Sequence, residues 1–261
     1  MGINSAMYNG VSGLNSFSTA ISVVGDNVAN SNTTAYKSNQ VHFGDMVNQY
    51  LSLQSNDTES EGAGSMILGI STNYGQGLIL NTSNWADLAI GGEGFFNVRD
   101  VLSGRVYHTR DGSFHLDDQA FLVNMQGLRT QDINGADIQV ANIQNYVSFH
   151  VETDGWIYGV DNTGTEVQIA QLGLSSFSNR DGLVRQGNNL YIAGPEVGQI
   201  FDNATTPAIF GQVLDYSLEN SNVDLAKEMV DMIIYQASYT AHSKTLTTCK
   251  DMIDATINMV R

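Results

Sequence analysis

Apolar side chains recur every seven residues at both ends of this chain and every second residue between them. Toward the C-terminus Leu225, Met232, Tyr239, Leu246, Ile253 and Val260 fall seven apart, and Met229 and Ile257 widen the stripe four residues after two of them. A strict period of seven holds these side chains on one narrow seam of a helix, the pattern of a coiled-coil contact. Toward the N-terminus Met7, Leu14, Ile21 and Val28 repeat that spacing, with Phe17 and Val24 at companion positions three residues on. From Met1 to Thr34 the only charged side chain is Asp26, and none lies between Asp231 and Lys244. A solvated surface helix carries charge on its outer face, so both helices are expected to be covered by partners, and these seam positions are the expected subunit interface. Gly10, Gly13 and Gly25 interrupt the first helix, each at a cost of about 0.8 to 1 kcal/mol relative to Ala. Its folding should therefore be coupled to burial in a larger assembly.

Between the helices the period changes. Phe43 to Tyr50 is expected to continue as a short helix, and the polar tract from Ser55 to Ser65 reads as a loop or long connector. From Met66 onward period-two segments dominate: Val147, Phe149 and Val151 alternate with polar residues, Asp154-Gly155 turns the chain, and Trp156, Tyr158 and Val160 return. Further turn signals at Asp111-Gly112, Asn134-Gly135, Asn162-Thr163-Gly164 and Asp181-Gly182 divide the region into short strands. The expected class is α+β: long N- and C-terminal helices forming a coiled-coil-like domain, with a central all-β domain. The expected divisions are residues 1–37 (first helix and its exit), 38–75 (connector and polar loop), 76–217 (β domain) and 218–261 (last helix).

Charge narrows the function. Of the 27 acidic side chains, two precede residue 52 and five follow residue 222, which leaves 20 in the middle against six of the 11 basic ones. No Lys occurs between Lys37 and Lys227, so the clustered cations that phosphate backbones require are missing and nucleic acid is not an expected partner. No apolar run reaches the roughly 18 residues that span a bilayer, and the N-terminus lacks the basic and apolar regions of a secretory signal. Membrane insertion is not expected. Cys249 is the only cysteine and reads as a helix-packing thiol. The paired acids Asp117 with Asp118 and Glu59 with Glu61 lie in turns or polar tracts, where solvation is the ordinary reason for a carboxylate. The five histidines show no metal-ligand spacing, although His108 and His115 are placed to face each other across a hairpin. No catalytic residue, cofactor or metal is expected.

The helix exit Asn27-Val28-Ala29-Asn30-Ser31-Asn32-Thr33-Thr34-Ala35-Tyr36-Lys37 resembles the closing motif of the rod and hook proteins of the bacterial flagellum, matched here at Asn27, Ala29, Asn30, Thr33, Tyr36 and Lys37. Asp26 stands where that family often has Asn, and Ala35 where it often has Gly, which disfavours a left-handed turn there. Leu218 to Asp224, with Ser221, Asn222 and Val223, is similar to the family's entry into its last helix, where Ser221 or Asn222 is expected to be the cap and Asp224 and Glu228 to complement the helix N-terminus. Asn84 to Ile90 with Gly92, Gly94, Phe95 and Phe96, and Tyr107 with Thr109, Arg110, Gly112 and Phe114, also look like the family. The resemblance implies a structural subunit that self-associates into a hollow helical polymer by contacts that do not close. It further implies other rod and hook proteins as partners, and export through the flagellum's own type III apparatus without a cleaved signal. The length resembles rod members, since hook members are longer. The opening Ser5 to Leu14 looks more hook-like, so a short hook protein is the alternative. From another class, a trimeric secreted carbohydrate-binding or adhesive β protein is the rival.

Overall fold

The structure is a computed structural model that describes residues 3–49, 60–141, 143–203, 205–206 and 209–259. The class is α+β, and the chain divides into two compact units. The first comprises residues 1–31, 38–73 and 223–261; the second comprises 32–37 and 74–222.

In the first unit the seven-residue repeats become two long helices, α1 (Ile3–Ala29) and α2 (Leu225–Met259). They run antiparallel: a Cβ added at Gly10 would meet Leu246 at 3.3 Å, one at Gly13 would meet the His242 ring at 2.6 Å, and Asn27 reaches Glu228 near the other end. Two of the glycines that weaken α1 as an isolated helix are thus what lets its partner approach. Among the described residues no helix is long and apolar enough to cross a membrane.

A two-stranded antiparallel hairpin completes this unit, β1 (Asn39–Gln49) and β2 (Ser60–Thr72). Residues 43–49 are therefore strand and not the expected helix, and Tyr50 lies outside the described residues. Val41 and Phe43 pair directly with Ile70 and Ile67, and cross-strand packing of such β-branched and aromatic side chains outweighs the weak local preference of a short segment. The polar tract is likewise split. Its residues 60–65 belong to β2, where Ser65 O accepts a hydrogen bond from Ser16 Oγ at 3.1 Å and Gly62 O one from Asn9 at 3.4 Å, while 55–59 lie outside the described residues.

The second unit is all-β. Its largest sheet has nine strands among the described residues; Phe95–Arg99 lies near its centre, pairing Val106–Thr109, Arg129–Thr130 and Leu174–Phe177. The expected hairpin forms the first two strands of a three-stranded sheet, Tyr146–Val151, Trp156–Asp161 and Glu166–Gln171. Its turn closes through Gly155, which donates its N–H to Glu152 O at 2.8 Å and has φ +81°, a conformation that glycine adopts without a Cβ penalty. Two short antiparallel pairs, Gln212–Leu214 with Ala89–Gly91 and Ser217–Glu219 with Ile79–Asn81, return the chain toward α2. Leu88, Ile90, Phe96, Phe114, Leu122 and Leu172 form the fully buried centre of the core.

Candidate assembly surface and a buried charge triad

On α1 the expected seam residues Met7, Leu14, Phe17, Ile21 and Val28 are half-buried and Val24 is buried. The deepest line runs one residue earlier, through Gly13, Ala20 and Asn27, again seven apart. On α2, Met232, Leu246 and Ile253 are half-buried, Leu225, Met229, Tyr239 and Ile257 are exposed, and Val260 lies outside the described residues. The line turned toward α1 is Glu228, Tyr235, His242 and Cys249, three residues after each seam position. A hydrophobicity pattern misses it because two of its members are polar. Helical glycines facing a ring are the signal that marks it: His242 stacks on Phe17 at 5.5 Å over Gly13, and Phe17, Phe43 and Tyr235 complete an aromatic cluster with centroids 5.4 to 6.0 Å apart.

Asn27 closes this layer. Its amide donates to Asn39 O at 2.9 Å and to Glu228 Oε1 at 3.1 Å and accepts from Asn39 N–H at 2.9 Å, so a side chain supplies both backbone partners of the first residue of β1. Burial raises the Glu228 pKa above the usual carboxylate value, and the Asn27 hydrogen bond opposes that shift. The cap of α2 is Asp224, whose Oδ1 accepts from Ala226 and Lys227 N–H at 3.0 and 3.2 Å. The expected caps Ser221 and Asn222 stand too far upstream. The opposite side of α2 remains bare: Val230, Ile233 and Ile234 are exposed, Ile233 at 65 %, and Ile233 and Ile234 lie inside the stretch that carries no charge.

In the second unit the motif residues converge on a buried ion triad. Lys37 Nζ lies 2.6 Å from Glu219 Oε1, and Arg110 Nη1 lies 3.3 Å from Glu219 Oε2, with side-chain exposures of 1, 4 and 0 % for Lys37, Arg110 and Glu219. Lys37 also donates to Gly75 O at 2.9 Å, Arg110 to Gly92 O at 2.6 Å and Ile90 O at 3.4 Å, and Gly77 N–H to Glu219 Oε1 at 2.8 Å. Desolvation lowers the pKa of both Lys37 and Arg110, and the Glu219 carboxylate opposes this in each. One carboxylate thus serves two cations, an arrangement that no spacing along the chain signals.

The exit motif supplies more than Lys37. Asn30 ends α1 by donating its N–H and its side-chain amide to Asp26 O at 3.1 and 2.9 Å. Ala29 is exposed, Thr33 O accepts from Tyr36 N–H at 3.3 Å, and Tyr36 is buried under the Arg185 guanidinium, 5.1 Å from its ring centroid. Asn222 donates its N–H to Tyr36 O at 3.2 Å and its side chain to Gly75 O at 2.9 Å; Ser221 is buried and Val223 half-buried. Ala35 adopts the left-handed conformation, φ +55°, despite its Cβ.

His108 and His115 do not face each other. His108 lies opposite Asn97 and Tyr191 in the sheet and His115 opposite Val123, because Val106–Thr109 and Phe114–Leu116 pair with different strands and not with each other. Asp117 Oδ1 accepts from Gln119 and Phe121 N–H at 2.8 Å each, a turn-forming role.

Three family models match the chain, each over one of these regions: flagella basal body rod protein over residues 7–37, flagellar hook protein FlgE/F/G D1 domain over 89–159, and flagellar basal body rod FlgEFG protein C-terminal over 215–259. Each contributes one member of the triad. The chain is 33 % identical over 270 residues to the flagellar basal-body rod protein FlgG of Bacillus subtilis (strain 168), covering 98 % of this chain and 99 % of that protein. To the protein of the same name from Buchnera aphidicola subsp. Schizaphis graminum (strain Sg) it is 32 % identical, covering 92 and 94 %. The flagellar hook protein FlgE of Salmonella typhimurium aligns at 22 % identity, but over 406 positions, covering 95 % of this chain and 98 % of that protein.

Proposed function

The chain belongs to the flagellar basal-body rod protein family, a structural subunit class of the flagellum, and from that premise we propose that it polymerises into a hollow helical tube that transmits torque and conducts exported subunits. The observation that carries this is the outer face of α2, where Val230, Ile233 and Ile234 stand exposed, the last two in a stretch without charge. In an isolated subunit that face gains nothing from water, whereas heterologous contact with further helices removes it from water at about 25 cal/mol per Å². In this reading α1 and α2 pack in coiled-coil fashion with those of neighbouring copies, and the expected seam residues that are only half-buried in one chain become the subunit interface. The acidic β unit meets solvent, other rod and hook proteins are the axial neighbours, and the chain leaves through the flagellar type III apparatus without a cleaved signal.

Length favours rod over hook: the hook relative needs 406 alignment positions to cover a chain of 261 residues. Electron microscopy of basal bodies from a strain lacking this chain tests the assignment. The rod reading expects particles that stop within the rod; complete rods that lack only the hook would move the chain to the hook.

A further inference from the structure

The segment 32–37 is the only part of the chain before residue 74 that belongs to the second unit. Further contacts hold it there besides the Lys37 ammonium. Ala35 N–H donates to Glu219 O at 2.8 Å, Tyr36 O accepts from Asn222 N–H at 3.2 Å, Thr34 O accepts from the Asn189 side chain at 2.6 Å, and the Tyr36 ring lies under Arg185. Six residues are thus docked as a peptide would be, by backbone hydrogen bonds, one aromatic anchor and one cation.

Two features work against that docking. Ala35 holds a left-handed backbone, φ +55°, in which an L-residue's Cβ crowds the following carbonyl oxygen. Lys37 brings a second cation to a carboxylate that Arg110 already neutralises, and Arg110 and Glu219 both lie within the contiguous stretch 74–222 of the unit. The neighbouring Arg180 is paired with Glu93, which also acts on Arg110, so the three cations face two carboxylates and one positive charge is left over. Removing the ammonium would leave no orphan, since Glu219 Oε1 still accepts from Gly77 N–H and Gly75 O from the Asn222 amide. Replacing a buried ion by an apolar isostere is unfavourable where it strands a partner, and often neutral or stabilising where it does not.

We propose that residues 32–37 form a releasable strap, seated on the rest of the second unit and kept poised near release by the surplus charge of Lys37 and the strained backbone of Ala35. The strap follows α1 by only two residues, and its release leaves the β unit folded. The inference concerns the single chain and stands apart from the polymer reading.

Native-state hydrogen exchange on the full-length monomer tests it. The Ala35 amide reports the strap, because its acceptor is Glu219 O, and the Leu172 amide, which donates to Gly155 O at 2.8 Å, reports global opening of the β unit. The strap predicts that Ala35 exchanges at least tenfold faster than Leu172 in the unaltered chain. Lys37→Met should slow Ala35 at least threefold, and Asn189→Ala should speed it with Leu172 unchanged. Equal exchange at the two amides, an unchanged or faster Ala35 in Lys37→Met, or a parallel change at both amides in Asn189→Ala would each overturn the proposal.

Discussion

Glu219→Gln should be far more damaging than removal of either cation it holds, and the triad's geometry sets the difference. With the carboxylate gone, Lys37 and Arg110 face each other across a neutral amide. Their positions 2.6 and 3.3 Å from the two carboxylate oxygens place the charges about 6 Å apart. At an effective dielectric of about 20 this repulsion is roughly 3 kcal/mol, and stranding buried charges by deleting their partner costs about 3 to 5 kcal/mol in measured cases. A loss of about 4 kcal/mol or more is expected, a large share of the 5 to 15 kcal/mol that stabilises a typical domain. Arg110→Met leaves the Lys37–Glu219 pair balanced and gives up the hydrogen bonds to Gly92 O and Ile90 O, for a cost of about 2 kcal/mol. Both tryptophans, Trp85 and Trp156, lie in the same unit, so urea unfolding followed by tryptophan fluorescence reads both variants directly. If Glu219→Gln costs no more than Arg110→Met, the cluster does not carry a surplus cation and the charge argument fails.

Further expectations follow from single contacts. A Cβ at Gly13 would press on the His242 ring at 2.6 Å, whereas one at Gly25 meets nothing within 4 Å; Gly13→Ala should destabilise the helix pair by about 1 to 2 kcal/mol after its helix-propensity gain, and Gly25→Ala should stabilise it by about 0.8 to 1 kcal/mol, both read by thermal unfolding. Ala35→Gly should relieve the left-handed strain and raise stability by about 0.5 to 1 kcal/mol in denaturant titration, net of the greater freedom of glycine in the unfolded chain. Burial pushes the His108 pKa down to about 4 from an ordinary 6.5. The unfolded chain therefore binds more protons between those values, and stability rises with pH across that window and is lost as pH falls through it, by about 3 kcal/mol at most. His108→Gln should flatten that part of the pH–stability profile.

What the sequence made legible was whatever repeats locally. The seven-residue lines marked both helices, and Asp154-Gly155 between alternating segments marked the hairpin. The face by which α1 meets α2 was hidden because Gly13, Asn27, Glu228 and His242 are not apolar, and close approach and hydrogen bonding rather than greasy burial define that line. The β1–β2 hairpin was missed since each strand finds its partner some twenty residues away, a pairing that no local period encodes. Lys37 and Arg110 carried the resemblance and Glu219 lay inside a matched stretch, but the chemistry that joins them was not legible. Lys37, Arg110 and Glu219 are far apart in the chain and ordinary in their local context, and only the folded sheet shows that one carboxylate holds both cations. Ala35 is the reverse case: the strain that its side chain implies was readable, and the backbone takes the left-handed turn regardless because Glu219 O, Asn189 and Asn222 hold both sides of it.

The central claim, that the uncharged outer face of α2 is where subunits meet, is tested most directly by Ile233→Asp. Ile233 is exposed in the single chain, so the monomer's unfolding free energy should stay within about 0.5 kcal/mol of the unaltered protein. In the polymer the carboxylate would be buried without a partner at a cost of about 3 kcal/mol or more per contact. Electron microscopy of cells carrying the variant should then find the protein exported but the axial structure unassembled. Normal rods built from Ile233→Asp subunits would show that this face of α2 looks onto water.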